Sequence, residues 1–506
     1  GSGGGSVVTP NDPLFAQQWH LKNTGQMGQD NVAALAGEDL HVQTAWGAVT
    51  GTGVRIAVID DGLDIGHEDL SPNVVANKSW DYTQPNGGAY GDPSSSTSSH
   101  GTSCGGLAAA KGNNGVGVTG VAFNASLVGL NLLAAGNTNT AAGSHSVTFD
   151  LATNDAYSNS YGAADDRGTY SDSDSAWQAA IDTGTSTGRS GRGAVYVWAA
   201  GNGGSTVDRS DYDGAANFRG VFAVGALNNQ GKKASYSEEG ANILVTAYAG
   251  ETCDTQQVLS TDVTGAPGYN NGSAMNDLAG QANYTRCFNG TSAATPEVTG
   301  TVALILNANP NLTWRDVRYI LATTARRNDA TDADWVKNRG GAGIFVNHKY
   351  GFGVVDAAAA VARASACYAP LPAMKSPTAA SATTVEAIPD NTGVALTRTL
   401  TMTGSQVTKI EFVDVTVNSD HTQVGDLAVT LTSPSGTVRT LAVQHNCRDM
   451  SGTTVPCGAW NGGSWRFGVS QLLDEPADGT WTLSVRDNGT AGTGSLSGFG
   501  ITVHGH

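Results

Sequence analysis

An α/β domain built on a parallel sheet, followed by an all-β sandwich, is the fold class that the sequence predicts. In the first part of the chain, apolar β-branched runs alternate with helix-like segments. In the last part, apolar and polar residues alternate, which is typical of sandwich strands. A stretch rich in Pro, Ala, Ser and Thr separates the two parts. The expected segments are a linker or processed terminus, the α/β domain, a linker and the sandwich: 1–8, 9–366, 367–391 and 392–506.

The elements follow from these patterns in chain order. Buried parallel strands are predicted at 54–59, 194–200 and 221–225, where the residues are apolar and often β-branched. Helices are predicted at 99–110, 176–184, 292–308 and 313–324. Thr313 with Asp316 has the spacing of a capping box, which marks the start of the last helix. Sandwich strands are predicted at 409–417, 427–432 and 481–486.

Composition excludes several classes of protein. The 506 residues include 67 Gly and only 14% charged residues, with a net charge of −17. An acidic surface repels nucleic acid, so we expect no nucleic-acid partner. No apolar run reaches the ~20 residues of a membrane span. Few cysteines and little lysine are consistent with export, so we expect a secreted monomer, with passage through a periplasm as one route.

The six cysteines allow many pairings, and the sequence alone proves none of them. Cys447 and Cys457 bracket a short turn-rich stretch that suits one small loop. Cys253 and Cys287 bracket a second such stretch. Cys104 closely follows a histidine, and we expect it to be a buried free thiol.

Three short motifs carry residues suited to acyl transfer. They are Val-Ile-Asp60-Asp-Gly at a strand end, His100-Gly-Thr-Ser at a helix start, and Gly-Thr-Ser292-Ala-Ala-Thr-Pro leading into a helix. A serine hydroxyl is a weak nucleophile unless an imidazole takes its proton, and a carboxylate must orient that imidazole. Each motif alone is a common turn or strand end, and it is their occurrence together, in the order Asp, His, Ser, that indicates catalysis.

A fourth motif, Ala-Gly-Asn202-Gly-Gly, follows a predicted buried strand. A side-chain amide at a strand end can donate a hydrogen bond to the oxyanion that forms during acyl transfer. We therefore predict Asn202 as the oxyanion donor.

Together these motifs resemble those of subtilisin-like serine proteases, and the chain is most similar to the kexin/furin group of proprotein convertases, with a bacterial member expected. The segment Asp-Pro-Leu-Phe-Ala-Gln-Gln-Trp-His-Leu, the doubled Asp60-Asp61 and the alternating C-terminal module all resemble that group. The resemblance implies a subtilisin-like three-layer domain followed by a jelly-roll P domain. It also implies that Asp60 orients, His100 is the base and acid, and Ser292 is the nucleophile.

The resemblance further implies carboxylates that select basic substrates. Ser160-Tyr-Gly162-Ala-Ala-Asp165 is similar to the family stretch whose acid lies at the S1 pocket, and Asp213 matches the second S1 acid. Asp61 matches the S2 acid. Near residue 143, where the family has a glutamate serving S4, the chain has none. We therefore predict strong preference for Arg or Lys at P1, weaker preference for a basic P2 and little demand at P4.

Calcium is the implied cofactor, since it takes six to eight oxygen ligands from carboxylates, amides and carbonyls. By resemblance, one site comprises the side chains of Asp12, Asp69 and Asn114 with the carbonyls of Lys111, Val116 and Val118. A second site comprises Asp165, Asp208 and Glu238. A third site would rest on Asp81 with Asp92 nearby, and the loop that follows is shorter than in the family.

Three hypotheses about function stay open at this level. The first is a calcium-dependent endopeptidase that cuts peptides and proteins after Arg or Lys, with its own pro-segment or a chaperone as a further partner. The second is a subtilase of broad specificity. The third is an inactive binding or adhesion protein that uses the C-terminal module. A serine esterase of the α/β-hydrolase type is disfavoured, because the three motifs occur in the order Asp, His, Ser and not in the order Ser, Asp, His of that fold.

Overall fold

The computed structural model describes most of the chain. The described residues are 6–28, 32–95, 98–134, 140–251, 257–265, 268–271, 278–341, 343–365, 367–490 and 492–506. Cys253, which with Cys287 brackets the second of the two stretches that suit a loop, lies outside them.

An eight-stranded sheet organises the first domain, and all its strands run parallel except β3. In spatial order they are β3 (Ala89–Tyr90), β2 (Trp80–Asp81), β4 (Ser126–Asn131), β1 (Arg55–Asp60), β5 (Ala156–Asn159), β6 (Val195–Ala199), β7 (Val221–Leu227) and β8 (Ile243–Tyr248). The central strands are buried on both faces, which accounts for their continuous apolar sequence. A separate antiparallel pair, β9 (Val258–Thr261) and β10 (Tyr284–Phe288), lies ahead of the helix that carries Ser292.

Helices cover both faces of this sheet. They are α1 (Val42–Ala45), α2 (Ser99–Ala109), α3 (Thr140–Thr148), α4 (Ser175–Gly191), α5 (Thr291–Ala308), α6 (Trp314–Thr324) and α7 (Ala357–Arg363). Alternate residues of strand β1 belong to two different clusters: Ile56 and Val58 pack with α2 and α5, and Ala57 and Ile59 pack with α3 and α4. The domain therefore has the predicted three layers.

The C-terminal domain is an antiparallel sandwich, as predicted. One sheet contains β13 (Thr378–Ala380), β14 (Glu386–Ala387), β16 (Ile410–Ser419), β21 (Ser464–Val469) and β23 (Ser495–Gly505). The other contains β15 (Leu396–Met402), β17 (Leu427–Thr432), β18 (Val438–Ala442) and β22 (Gly479–Asp487). Two-stranded pairs join β11 (Val336–Lys337) to β12 (Phe345–Val346), and β19 (Cys447–Arg448) to β20 (Thr454–Val455).

The two domains share a polar and largely buried interface. Arg315 forms an ion pair with Glu411, and Arg318 donates to Ser470 Oγ at 2.7 Å. Tyr319 donates to Asp474 at 2.8 Å. The α6 helix thus contacts the sandwich along one side.

Two local expectations differ from the structure. The helix predicted to end at Gly184 continues, with a break in helical geometry at Gly188–Ser190. Gly184 serves close packing instead, because a Cβ there would lie 1.7 Å from the hydroxyl oxygen of Tyr196. The stretch expected as a linker, 367–391, contains β13 and β14, which pair with the terminal strand β23.

Candidate active site

Asp60 and His100 meet where strand β1 ends and helix α2 begins. His100 Nδ1 lies 2.8 Å from Asp60 Oδ1, which also accepts the Asp61 N–H at 2.7 Å. Burial disfavours the imidazolium, but the Asp60 carboxylate more than offsets this and raises the pKa of His100 well above its ordinary value. The ring is therefore oriented by a buried carboxylate, as general-base catalysis requires.

Ser292 is the second residue of α5, and the helix follows Gly290, whose φ of +83° favours glycine. Its side chain is 8% exposed, and its N–H belongs to the first turn, which has no intrahelical acceptor. Among the described residues no hydrogen bond joins His100 to Ser292; Ser292 Oγ instead donates to Ser160 O at 3.2 Å. Hydrogen bonds of this kind often form only when substrate binds.

A proline four residues later shapes the same turn. Pro296 lies inside α5 and has no N–H, so the Ser292 carbonyl loses its helical donor. Ser160 Oγ donates to that carbonyl at 2.9 Å, and Cys104 Sγ lies 3.6 Å from it. Ser160, predicted to bind substrate, therefore contacts the backbone of the predicted nucleophile.

The side-chain amide of Asn202 has a fixed orientation. Its Oδ1 accepts the Thr291 N–H at 2.8 Å and lies 2.9 Å from Thr291 Oγ1. The Nδ2 group is thereby left to donate elsewhere, and Ser292 follows Thr291 directly in the chain. The sequence reasoning did not identify Thr291; the hydroxyl beside the predicted nucleophile was the only signal for it.

A cavity of about 250 Å³ opens at these residues. Its lining includes Ser292, Asn202, Ser160, Gly162 and Asp165. The structure therefore brings these five predicted site residues to one pocket. Burial, followed by neighbouring carboxylates, raises the pKa of Asp165.

Asp213 lies beside this cavity and not in its lining. Its two carboxylate oxygens accept the N–H groups of Ala163, Ala215 and Ala216. It lines a second cavity, of about 360 Å³, which shares Tyr161, Gly162 and Ala163 with the first. Its geometry shows Asp213 holding the backbone between the two cavities.

Asp61, the predicted S2 acid, is half-buried next to Asp60. Its carboxylate accepts the Gly101 N–H at 2.8 Å. Burial and then the charge of Asp60 raise the pKa of Asp61 to about 7. A basic side chain placed near it would favour its ionised form.

The first predicted calcium site is gathered by the loop 111–118. Both Asp12 and Asp69 are buried, and Asp69 accepts the Asn114 side-chain amide and the Val118 N–H at 2.8 Å each. The Lys111 N–H donates to Asp69 O at 2.8 Å, and the Val116 N–H donates to Asn114 Oδ1 at 2.9 Å. The loop therefore closes tightly on Asp69.

The donor set of this site fits a hard cation. Burial and then the negative charges of Asp12 and Glu68 raise the pKa of Asp69 to about 7. Two buried carboxylates, one amide and nearby carbonyls are ligands that Ca²⁺ prefers. To offer its oxygen to an ion beside Asp69, the Asn114 amide would have to rotate and give up the Val116 N–H that its Oδ1 accepts.

The second predicted calcium site is more open than a closed metal cluster, because Asp165, Asp208 and Glu238 do not offer three carboxylate oxygens that all lie within 4.8 Å of one another. Glu238 is buried, and burial followed by the charges of Asp208 and Asp165 raises its pKa well above its ordinary value. Glu238 accepts the Gly203 N–H at 3.0 Å, and Asp165 accepts the Asn202 N–H at 2.8 Å. A cation here would offset three crowded negative charges.

The third site has only one buried carboxylate, that of Asp81, because Asp92 is exposed. The carboxylate of Asp81 accepts hydrogen bonds from the Thr83 N–H and hydroxyl and from the Gln84 side chain. Asp92 is exposed and accepts the Ser94 N–H. Both carboxylates already serve their own turns.

The remaining features of this domain pair are a disulfide, a buried free thiol and a buried glutamate. Cys447 and Cys457 form a disulfide, as the short loop suggested, and Cys104 is a buried free thiol. Burial raises the pKa of Cys104 to about 11. Glu297 lies buried in α5 with Oε2 accepting the Tyr248 N–H at 3.0 Å, and burial raises its pKa well above its ordinary value.

Comparison with known proteins shows the family to which a chain with this site belongs. The model of the subtilase family matches residues 51–353. The chain belongs to the subtilase family. The model of the proprotein convertase P-domain matches residues 410–503, so the sandwich is a P domain. The chain thus has the domain pair of kexin-type serine endopeptidases.

Relatives extend over nearly the whole chain. A PC3-like endoprotease (variant B) of Hydra vulgaris is 33% identical over 95% of the chain, and human neuroendocrine convertase 2 is 32% identical over 98%. The chain spans 64% of the Hydra protein's length and 74% of the human protein's. The crystal structure of a serine protease of Aeromonas sobria superposes with a TM-score of 0.85 at 28% identity, covering 100% of this chain and 99% of that one.

Proposed function

We propose that this subtilase is a secreted, calcium-dependent serine endopeptidase that cleaves peptide bonds after Arg or Lys, with weaker preference for a second basic residue at P2. The cavity shared by Ser292, Asn202 and Asp165 is the observation that carries the proposal. It combines a nucleophile, an oxyanion donor and a half-enclosed carboxylate in one pocket.

The reaction follows from the roles that these positions permit. His100 takes the proton of the Ser292 hydroxyl as Oγ attacks the carbonyl carbon of the substrate, and Asp60 stabilises the resulting imidazolium. The developing oxyanion is stabilised by Asn202 Nδ2 and by the Ser292 N–H. The imidazolium then protonates the leaving amine, and water, activated by the same ring, hydrolyses the acyl-enzyme.

Specificity rests on charge. A lysine or arginine side chain enters a cavity of this kind only if a carboxylate compensates the loss of its hydration. Asp165 supplies that carboxylate at P1, with Asp213 on the adjoining wall. Asp61 supplies it at P2, beside His100.

Calcium would be held by the two clusters of carboxylates. Asp12, Asp69 and Asn114 with the 111–118 loop would hold one ion, and Asp165, Asp208 and Glu238 the other. When bound, the ions supply positive charge that lets these buried carboxylates ionise. The second site would fix Asp165, since its carboxylate belongs both to that cluster and to the cavity.

A chaperone is a proposed partner. The Aeromonas sobria protease has also been crystallised in a complex with the chaperone ORF2, and that chain matches this one with a TM-score of 0.86 at 28% identity. Export is proposed on family grounds. Among the described residues, no helix has the length and apolarity to cross a bilayer.

Hydrolysis of fluorogenic peptides that vary P1 and P2 tests the proposal, with calcium or chelator present. The Ser292→Ala variant controls for contaminating proteases. We expect calcium-dependent cleavage after Arg and Lys only. Equal rates after Phe or Leu would favour the broad-specificity subtilase, and binding without cleavage would favour the inactive binding protein.

A further inference from the structure

The loop that carries Asp165 is held from outside by the P domain. The disulfide hairpin, defined as residues 445–457, lies against residues 167–168. His445 Nε2 lies 2.8 Å from the Gly168 carbonyl oxygen, and the Arg448 N–H donates to Arg167 O at 2.9 Å. The sulfur of Cys447 lies 3.1 Å from the same Gly168 oxygen.

The approach of the hairpin requires glycine at 168. Gly168 has a φ of +64°, a region that disfavours other residues. A Cβ there would lie 2.8 Å from His445 Cδ2 and 3.1 Å from Asn446 O. The hairpin therefore packs directly against the backbone at position 168, with no space for a side chain there.

From residues 167–168 the contacts continue to the active site. The N–H groups of Arg167 and Gly168 both donate to the Asp208 carboxylate. Asp165 lies two residues before Arg167 in the same loop, and Asp165 Oδ1 accepts the Asn202 N–H at 2.8 Å. The backbone of residues 165–168 and this hydrogen bond thus join the hairpin to the backbone of the predicted oxyanion donor.

We propose that the disulfide hairpin of the P domain, acting through His445 on Gly168, positions the wall of the catalytic cavity formed by Asp165 and Asn202. The hairpin thereby sets both turnover and selectivity for a basic P1 residue. The selectivity part of this inference rests on the proposed function, and the turnover part does not. His445 and the hairpin are positioning elements, since neither lines the cavity with Ser292.

The competing explanation is that the hairpin only stabilises the domain interface. The ion pair of Arg315 with Glu411 and the hydrogen bond of Tyr319 to Asp474 already join the domains elsewhere. A stabilising role predicts a lower melting temperature with unchanged kinetics. A positioning role predicts changed kinetics in the folded protein, and contiguity of contacts alone does not distinguish the two.

The test compares His445→Ala and Gly168→Ala with a matched control, His504→Ala. His504 also lies in the P domain, and its two side-chain hydrogen bonds in the described part of the chain go to Ser376 and Asp414 and not to the hairpin. For each variant, kcat and KM are measured separately at saturating calcium with P1 Arg and P1 Leu peptides, well below its melting temperature. The His445→Gln variant retains a side-chain N–H donor, so it tests whether that donor restores what His445→Ala loses.

We expect His445→Ala to lower kcat with both peptides by about 3- to 30-fold, the range for coupling through such networks. The Arg-over-Leu ratio of kcat/KM should fall as well, His445→Gln should recover part of both, and Gly168→Ala should resemble His445→Ala. The His504→Ala variant should keep wild-type kcat and ratio.

A double variant, Cys447→Ala with Cys457→Ala, should show the same loss where it folds. If the double variant does not fold, the His445→Ala and Gly168→Ala variants decide the question.

Unchanged kcat and unchanged ratio in His445→Ala and Gly168→Ala would overturn the inference. A wild-type protein with no P1 preference would overturn the proposed specificity instead. In that case kcat with the Leu peptide still decides whether the hairpin positions the cavity.

Discussion

Replacing Asn202 with alanine tests the oxyanion assignment most sharply. Two contacts to Thr291, at 2.8 and 2.9 Å, fix the amide of Asn202 through its oxygen, so the variant removes one prepositioned Nδ2 donor from the cavity of Ser292. Loss of one oxyanion donor costs about 10²–10³ in kcat, or ~2.7–4 kcal/mol of transition-state stabilisation. We expect that loss in kcat, with KM changed less than about threefold, because the interaction forms in the transition state.

The assay is steady-state hydrolysis of a P1 Arg peptide, with circular dichroism as a check on folding. Asn202→Asp is the matched variant: it keeps an oxygen facing Thr291 but replaces the donor with a second oxygen. It should therefore lose at least as much kcat as Asn202→Ala. A fall in kcat of less than about fivefold in the alanine variant, or a loss confined to KM, would refute the reasoning.

Four further predictions follow from the charges of the site. Burial and the charge of Asp60 raise the pKa of Asp61 to about 7, so Asp61 gains its charge between pH 6 and 8. The ratio of kcat/KM for a P2 Arg peptide to that for a P2 Ala peptide should therefore grow over this range. A ratio that stays constant would contradict this prediction. Burial raises the pKa of Asp69 to about 7 and that of Glu238 well above its ordinary value, so in metal-free protein their ionisation costs stability as pH rises from about 4 through 7. The gain in Tm from calcium should accordingly be larger at pH 8 than at pH 5.5, and calorimetry with and without chelator checks it. The Asp165→Asn variant should lower kcat/KM for a P1 Arg peptide by about 100-fold, because a buried cation without its partner costs ~2–5 kcal/mol. The kcat/KM for a P1 Leu peptide should stay within threefold of wild type. Equal losses with both peptides would assign Asp165 a structural role alone. The neutral form of His100 is the base, so activity should fall as pH drops through its raised pKa, and Asp60→Asn should move that acid limb to lower pH while reducing kcat by about 10⁴.

Much of the fold could be predicted because its signals are local. Strand β17 occupies the predicted residues 427–432, and helix α6 begins after Thr313 with the capping box that its spacing indicated. The pocket residues could be predicted as well, because Ser160, Asn202 and Ser292 follow strands or start helices at one edge of a parallel sheet.

What the sequence did not reveal depends on contacts between distant segments. Gly184 was taken as a helix end, but the approach of Tyr196, which no local pattern shows, explains the glycine. The hydrogen bond from the Ala163 N–H to Asp213 and the contact of His445 with Gly168 likewise join residues far apart in the chain. Short strands such as β13 pair only because β23 lies beside them, so their Pro-rich surroundings suggested a linker.

The central claim is that Ser292 is a nucleophile in a pocket that selects a basic P1 residue. Labelling with two peptidyl phosphonates that differ only in Arg or Leu at P1, followed by peptide mass spectrometry, tests both halves at once. The account predicts a covalent adduct on Ser292 that forms much faster with the Arg reagent and is absent from Ser292→Ala. An adduct on another residue, or equal rates for the two reagents, would contradict it.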